Sequence, residues 1–352
     1  MPEDAPVKTA IARLAPGDLE TLLASWSEPR YRVDQILAWV YRERARSWDE
    51  MSNLPRALRA HLAQTLLLRE TSLREKAESA DGTVKLCVEL ADGELLEAAA
   101  IPSQKRLTAC LSTQVGCAFG CAFCASGARG LARDLEAHEI IEELFHLRDA
   151  ATAGPTHVVF MGIGEPLSNY ENLSRAIAVI NAPWAFNIAR RRITVSTVGI
   201  PDAIARLARD HPQLNLAISL HAADDVLRSR LVPANRRWPL RAVLRAVRGH
   251  IELTHRQPTF EYVVLRGVND SDRHALTLAA LLRDMDCKVN LIPCHPGAGD
   301  FASTGTDVRA FKRRLDRLGV RSTARASRGL DIDAACGQLR LRLAEKPRAP
   351  AG

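Results

Sequence analysis

The sequence lacks any long hydrophobic run, because no stretch approaches the roughly 20 consecutive apolar residues that a membrane-spanning helix needs. Its first residues, Met1-Pro2-Glu3-Asp4, have neither the basic start nor the apolar core of a secretory signal peptide. Internal repeats and low-complexity segments are also absent from the sequence. These absences argue against a membrane protein, and we expect a cytosolic protein without a membrane partner.

The composition is that of an ordinary globular protein, with 47% hydrophobic and 25% charged residues. A length of 352 residues allows one large α/β domain and an accessory domain. Eight cysteines in a long chain without a signal peptide favour metal binding or redox catalysis over structural disulfides. The net charge of +7 permits a polyanionic partner but does not require one.

Three of the cysteines, Cys117, Cys121 and Cys124, lie on one short segment with C-x3-C-x2-C spacing. Thiolates on such a segment can bind three irons of a cubane and leave the fourth iron open for a substrate or cosubstrate. An aromatic residue directly before the last cysteine, here Phe123, is typical of radical S-adenosylmethionine (SAM) enzymes, which this segment resembles. The pattern predicts an iron–sulfur cluster that takes part in chemistry.

A zinc site is the alternative interpretation, with the fourth ligand supplied by a distant residue such as His138. Zinc sites favour C-x2-C pairs, whereas one gap here is three residues long, so the spacing favours the cluster. Three further cysteines have no role that the pattern suggests, and we interpret them as structural: Cys87, Cys287 and Cys294.

The first part of the chain has helical periodicity, most clearly in Tyr31–Arg44. Two Asp-Gly turn signals, at 81–82 and 92–93, then enclose alternating apolar residues and predict a β-hairpin. We therefore expect a helical accessory domain (1–75), a β-hairpin linker (76–102), a core domain (103–345) and a disordered tail (346–352).

From about residue 95, apolar strand candidates alternate with helix-length segments. This rhythm implies parallel strands with right-handed crossovers and functional residues at the C-terminal ends of the strands. The cysteine segment directly follows the first of these strands, as that rule requires. The strand candidates are Leu107–Leu111, His157–Met161, Ile193–Thr197, Leu214–Leu220, Phe260–Leu265, Val289–Ile292 and Val320–Ala324.

The chain resembles the RlmN/Cfr family of radical SAM RNA methyltransferases over nearly its whole length. The most specific match is Asp331-Ile332-Asp333-Ala334-Ala335-Cys336-Gly337-Gln338-Leu339. Further matches are 31–36 (YRVDQI), 112–117 (STQVGC), 161–167 (MGIGEPL), 196–199 (STVG), 219–221 (SLH), 260–263 (FEYV) and 267–270 (GVND).

The resemblance implies a partial (βα)6 radical SAM barrel preceded by a helical accessory domain that helps to bind RNA. It implies a [4Fe-4S] cluster and SAM as cofactors, 23S rRNA and tRNA as substrates, an electron donor such as flavodoxin, and a monomer. The implied reaction is methylation at C2 of adenosine. That carbon is electron-poor and cannot attack the SAM methyl group, so family members use a radical generated by reductive cleavage of SAM.

Three residues match the family's catalytic positions. Cys336 matches the cysteine that carries the methyl group, and Cys110 matches the cysteine that later attacks its sulfur, releases the product and leaves a transient disulfide. Glu97 matches the base that takes the C2 proton. Without the resemblance, ordinary structural roles would be the simpler interpretation of all three.

The family's SAM contacts match residues at the ends of three successive strands. One position departs from the family pattern, because His295 stands where an asparagine is usual. A neutral imidazole can still donate one hydrogen bond and accept another. The implied SAM contacts are Gly164, Glu165, Ser196, Ser219, Leu220, His221 and His295.

Several alternatives stay open at the level of sequence. Methylation at C8 of the same adenosine defines the antibiotic-resistance branch of the family, although Pro166 after Glu165 resembles the C2 branch. A glycyl-radical activase would share the cluster without needing Cys110 or Cys336, and a zinc-bound RNA-binding module would not be an enzyme.

Basic residues that could contact RNA phosphates form three groups. A solvated helix face is the equally simple interpretation of each. They are Arg190–Arg192; Arg228, Arg230, Arg236, Arg237, Arg241, Arg245 and Arg248; and Lys312, Arg313, Arg314, Arg317, Arg321, Arg325 and Arg328.

Overall fold

A computed structural model describes residues 8–127, 129–151, 153–294, 307–325, 329 and 332. The strands of this part of the chain are β1 Thr9–Ala10, β2 Leu66–Leu67, β3 Ser72–Glu78, β4 Val84–Glu89, β5 Leu95–Ser103, β6 Arg106–Leu111, β7 Gln114–Gly116, β8 Leu131–Asp134, β9 His157–Phe160, β10 Ile193–Thr197, β11 Asn215–Ser219, β12 Thr259–Val264, β13 Lys288–Pro293 and β14 Ser322–Ala324. Its α-helices are α1 Pro16–Ser25, α2 Tyr31–Tyr41, α3 Arg56–Thr65, α4 Ala137–Ala150, α5 Tyr170–Asn181, α6 Pro201–Asp210, α7 Asp225–Leu231, α8 Leu240–Thr254, α9 Asp272–Leu282 and α10 Val308–Arg317.

Within the described residues, ten strands form one mixed sheet in the order β14-β13-β12-β11-β10-β9-β6-β5-β4-β3. The strands from β6 through β9 to β14 are parallel to one another, whereas β3, β4, β5 and β6 pair antiparallel. Helices connect the parallel strands, as a parallel sheet requires. The sheet therefore has a parallel end and an antiparallel end that share β6.

The predicted barrel fold is confirmed, and the part of the chain that the structure describes contains six strand–helix units followed by the short β14. Ile193–Thr197 coincides with β10, and the other strand candidates overlap β6, β9 and β11–β14 within two residues at each end. The predicted hairpin corresponds to β4 and its neighbours, which are hydrogen-bonded into the same sheet as the barrel strands. Both faces of β4 are buried, because Lys85 and Cys87 are as inaccessible as the apolar residues Val84, Leu86 and Val88.

Helix α4 joins the N-terminal helices to the barrel strands. The Glu142 carboxylate accepts hydrogen bonds from the backbone N–H groups of Glu70 and Thr71, at 2.7–3.0 Å. The Arg148 guanidinium donates to the carbonyl of Tyr41 at the end of α2. One continuous hydrophobic core runs from the N-terminal helices through α4 to the sheet. Within the described residues, no helix is both long and apolar enough to span a bilayer.

Candidate active site

The cysteine segment is a tight loop that a short hairpin holds at the end of β6. Strands β7 and β8 pair on either side of the loop, and the Cys117 N–H donates to the Gly130 carbonyl at 3.0 Å. Gly116 has φ +86°, and a Cβ atom there would lie 2.0 Å from the Gly130 oxygen. Only glycine fits this position, so the backbone fixes where the first cysteine begins the loop.

Apolar side chains surround the loop. Phe119 and Phe123 pack against a hydrophobic cluster, with the Phe123 ring 4.5 Å from His221 and the Phe119 ring 5.9 Å from Trp238. Burial, together with the nearby Cys124, raises the pKa of the Cys117 thiol to about 11 and also raises that of Cys121. Thiolates are therefore unfavourable here unless a positively charged group binds them. The members of the apolar cluster are Val198, Ala222, Leu227, Leu231, Val232, Ala234 and Leu265.

Glu165 ties the end of β9 to the end of β10. One carboxylate oxygen accepts from the Leu167 N–H at 3.0 Å, and the other accepts from the Val198 N–H at 2.7 Å. Burial nevertheless raises the pKa of Glu165 to about 7. The preceding Gly164 has φ +105°, and a Cβ there would meet the Gln114 side chain at 2.6 Å. This turn brings backbone groups to the edge of the sheet beside the cysteine loop.

His221 is a buried, neutral imidazole at the end of β11. Burial, and to a lesser degree the Arg228 cation, lowers the pKa of His221 to about 3. Its Nδ1 accepts from the Val263 N–H at 3.1 Å, which assigns the ring proton to Nε2. The backbone of this residue is left-handed, with φ 59°.

Arg228, on α7, lies fully buried beneath the ends of β10 and β11. Its guanidinium donates to the carbonyls of Val198 at 2.6 Å, Ser219 at 3.1 Å and Leu220 at 3.1 Å. A fourth bond of 2.8 Å goes to the Asn235 side chain. The same cation lowers the pKa of Cys121, although burial outweighs its effect. Arg228 thus fixes two strand ends and places positive charge near the cysteine loop.

The strand register brings the predicted residues of separate strands to one face of the sheet. Glu97 and Ala99 share a face of β5, and Ala99 is paired with Cys110 on β6. Cys110 is paired with Val159 on β9, and Val159 is paired with Thr194 on β10. Ser196 is two residues after Thr194 and therefore lies on the same face. Ser196 is paired with Ala217, whose face also carries Ser219. This face, which we call the inner face, lies across both ends of the sheet.

Glu97 is buried on the inner face and forms an ion pair there. Its Oε2 lies 3.0 Å from the Nζ of Lys85 on β4, and the two side chains are 4% and 2% exposed. The Glu97 carbonyl accepts from the Ser112 hydroxyl at 2.7 Å, which holds the main chain of β5 against the end of β6. Cys110 is buried on the neighbouring strand.

Comparisons with known proteins show the family to which the chain belongs. Residues 111–279 match the Radical SAM superfamily, and residues 11–68 match the ribosomal RNA large subunit methyltransferase N-terminal domain. A crystal structure of a radical SAM methyltransferase from Sphaerobacter thermophilus is 43% identical, covers 94% of this chain and 98% of its own, and superposes with a TM-score of 0.89.

Curated relatives cover nearly the same span. A probable dual-specificity RNA methyltransferase RlmN from Gemmatimonas aurantiaca is 45% identical over 91% of this chain and 89% of its own length. Its namesake from Thermosynechococcus vestitus is 44% identical over 92% of this chain and 96% of its own length. The chain belongs to the RlmN family of radical SAM RNA methyltransferases.

Membership of the RlmN family implies an iron–sulfur cluster and SAM, and the cysteine loop fits that cluster. Among the described residues, no three Cys, His, Asp or Glu side chains converge on a single metal ion. Thiolates that each bind a different iron need not converge on one point, whereas zinc ligands must. His138, the example given for a fourth zinc ligand, lies 3.1 Å from a Glu70 carboxylate oxygen. Membership of the radical SAM superfamily favours the cluster over zinc.

Two RlmN-type positions predicted from the sequence, His295 and Cys336, lie outside the described residues. The structure does place Gly164, Glu165, Ser196, Ser219, Leu220 and His221, at the ends of β9, β10 and β11. Their predicted contacts with SAM remain predictions.

Sequence analysis missed two charged residues of this RlmN-family site, Lys85 and Arg228. Arg228 was grouped with arginines that could contact RNA, and that interpretation is wrong because its side chain is fully buried. A signal existed for Lys85, since both it and Glu97 are flanked by apolar residues on either side in their strands. Such flanking indicates strands covered on both faces, where a charge needs a partner.

Proposed function

We propose that this protein methylates C2 of an adenosine in 23S rRNA and in tRNAs. The observation that carries the proposal is the placement of Glu97, Cys110, Ser196 and Ser219 on one face beside the cysteine loop, in a chain of the RlmN family. The name of the relatives, dual-specificity RNA methyltransferase, supports two RNA substrates. Pro166 after Glu165 supports C2 over C8.

The cluster would be held by Cys117, Cys121 and Cys124, and with SAM it would supply one-electron cleavage chemistry and the methyl group. The neighbouring strand ends, fixed by Glu165 and Arg228, orient the residues that bind SAM. Cys336 carries the methyl group to the adenine. Glu97 accepts the C2 proton, and the Cys110 thiolate attacks the Cys336 sulfur, so that an S–S bond forms as the bond from sulfur to the transferred carbon breaks. The electron pair of the broken bond stays with the carbon, which takes up a proton from water and becomes the methyl group.

RNA would be bound in part by a basic groove on the N-terminal helices. This groove is about 630 Å³ in volume, and its lining among the described residues includes five cationic side chains and one acidic residue, Asp49. Such a surplus of positive charge suits a phosphate backbone. The cationic residues are Lys8, Arg46, Arg56, Arg59 and Arg69. We further propose that the enzyme acts as a monomer in the cytoplasm and takes electrons from a donor such as flavodoxin.

The test is mass spectrometry of nucleosides from 23S rRNA fragments and tRNA treated with the anaerobically reconstituted enzyme. We expect 2-methyladenosine from both RNAs, and 8-methyladenosine without 2-methyladenosine would overturn the proposal. Cys110→Ala should form a covalent RNA–protein adduct and release no methylated RNA. Cys287→Ala is the matched control, since this cysteine is buried in the main hydrophobic core next to the start of β13 and should release product normally.

A further inference from the structure

A buried ion pair connects the antiparallel end of the sheet to the proposed chemistry. Lys85 Nζ and Glu97 Oε2 are 3.0 Å apart, and neither side chain is more than 4% exposed. No role has so far been given to Lys85. Burying both charges carries a desolvation penalty that their attraction barely offsets, and apolar side chains of similar size often stabilise a fold equally well. Stability alone is therefore a weak explanation for this pair.

The strand register shows where the ammonium approaches the carboxylate. Lys85 is paired with Ala99, and Glu97 is paired with Cys87, so Lys85 and Glu97 are diagonal neighbours on the inner face. Ala99 is in turn paired with Cys110. Lys85 consequently lies in the same row across the sheet as Cys110, one row from Glu97 and on the side remote from the C-terminal end of β6.

The main chain around Glu97 is held as firmly as its side chain. The Ser112 hydroxyl donates to the Glu97 carbonyl at 2.7 Å and accepts from the Ile163 N–H at 2.9 Å. The backbone of β5 is therefore tied to the ends of β6 and β9. With the backbone fixed, the ammonium 3.0 Å away helps to determine which way the carboxylate of Glu97 is directed.

We propose that Lys85 is a positioning residue that holds Glu97 as an oriented carboxylate for removal of the adenine C2 proton; this rests on the proposed function. In that step the C2–H bond breaks, its electron pair stays with the adenine ring, and the proton goes to the Glu97 carboxylate, which becomes a carboxylic acid. Lys85 itself gains and loses no proton. Its effect should be confined to this step.

The experiment separates the steps in Lys85→Met, Glu97→Gln and the double variant. Single-turnover reactions measure 5′-deoxyadenosine release, formation of the RNA–protein adduct and its resolution to product. Loss of a general base typically slows a step by about 10²–10⁴-fold, so Glu97→Gln should resolve the adduct at least about 10²-fold more slowly. Lys85→Met should resolve it at least about 10-fold more slowly while forming 5′-deoxyadenosine and adduct at nearly the wild-type rate. The double variant should be no slower than Glu97→Gln alone.

Lys76→Met is the matched control, since Lys76 lies on the adjacent strand β3 at a position whose partner, Leu86, faces away from Lys85. It should leave every step unchanged. If Lys85→Met does not fold, which its thermal unfolding reveals, Lys85→Leu decides the question in the same assay, because leucine likewise offers no donor to Glu97. Wild-type rates of adduct resolution in either variant would overturn the inference, as would an equal slowing of all three steps. If the wild-type enzyme itself formed no 2-methyladenosine, the proposed function would fail instead.

Discussion

The two ends of the sheet bury their charges in different ways. At the parallel end, Arg228 and Glu165 bind backbone groups, carbonyls in the first case and N–H groups in the second. At the antiparallel end, Lys85 and Glu97 bind each other. All four side chains are less than 5% exposed.

The difference teaches what each charge can do. Arg228 and Glu165 make hydrogen bonds to main-chain groups, so they fix the ends of strands. They therefore determine where backbone groups lie beside the cysteine loop. Lys85 forms an ion pair with another side chain, so its effect is on the orientation of the Glu97 carboxylate. Variants at the parallel end should therefore affect folding and cofactor loading, whereas variants at the antiparallel end should affect one chemical step.

The largest effect is expected at the cysteine loop. Cys121→Ala removes one of three cluster ligands, so iron and sulfide content should fall sharply and SAM cleavage should drop to background. Cys287→Ala should retain full iron content and the visible absorbance of the cluster. A Cys121→Ala protein that bound iron and cleaved SAM like the wild type would show that the loop does not hold the cluster.

Arg228→Met should cause the next largest effect. The variant leaves three buried carbonyls and the Asn235 side chain without their donor, which we expect to lower the free energy of unfolding by about 3–5 kcal/mol. Urea denaturation measures this loss. Arg230→Met is the matched control, because Arg230 lies two residues further along α7 and is exposed. Equal stability of the two variants would show that Arg228 does not fix the ends of β10 and β11.

Glu165 should make stability depend on pH in the cluster-free protein. Its pKa is raised by burial from 4.5 to about 7, so between these values the folded state keeps a proton that the unfolded state has lost. The contribution of Glu165 to the free energy of unfolding is complete below about pH 4.5 and is lost as the pH rises through about 7. The free energy of unfolding should fall by about 3 kcal/mol over this range.

Burial also raises the pKa of Glu143, so the pH profile of the wild type alone cannot identify the residue responsible. The comparison that does so is with Glu165→Gln, which should be less stable at low pH but have a flatter profile over this range. Parallel pH profiles for the two proteins would contradict the assignment.

The smallest effect is expected in the basic groove, outside both ends of the sheet. Arg56→Ala should weaken RNA binding about threefold and reduce the salt dependence of the affinity by about one counterion. Arg30→Ala is the control, because this arginine is 80% exposed, pairs with Glu20 and does not line the groove. Fluorescence anisotropy at several salt concentrations measures both. Identical salt slopes for the two variants would place the RNA elsewhere.

Much of the parallel end could be predicted from the sequence. The segment Ile193–Thr197 coincided with β10 at its observed bounds, because its residues are mostly β-branched and its apolar side chains alternate with polar ones, as in a strand with two different faces. The antiparallel end was harder to predict. Alternation in β4 predicted a strand, but it did not show that Lys85 and Cys87, which lie between its apolar residues, are buried as well.

The chain alone determined the cysteine spacing, the glycine turns and the alternation of strands and helices, because each depends on residues close together in sequence. Only the tertiary structure decided that Glu97, Cys110, Ser196 and Ser219 share a face, that Lys85 is the partner of Glu97 and that Arg228 is buried. These depend on strand register and on burial from both sides, which arise when segments distant in sequence pack together.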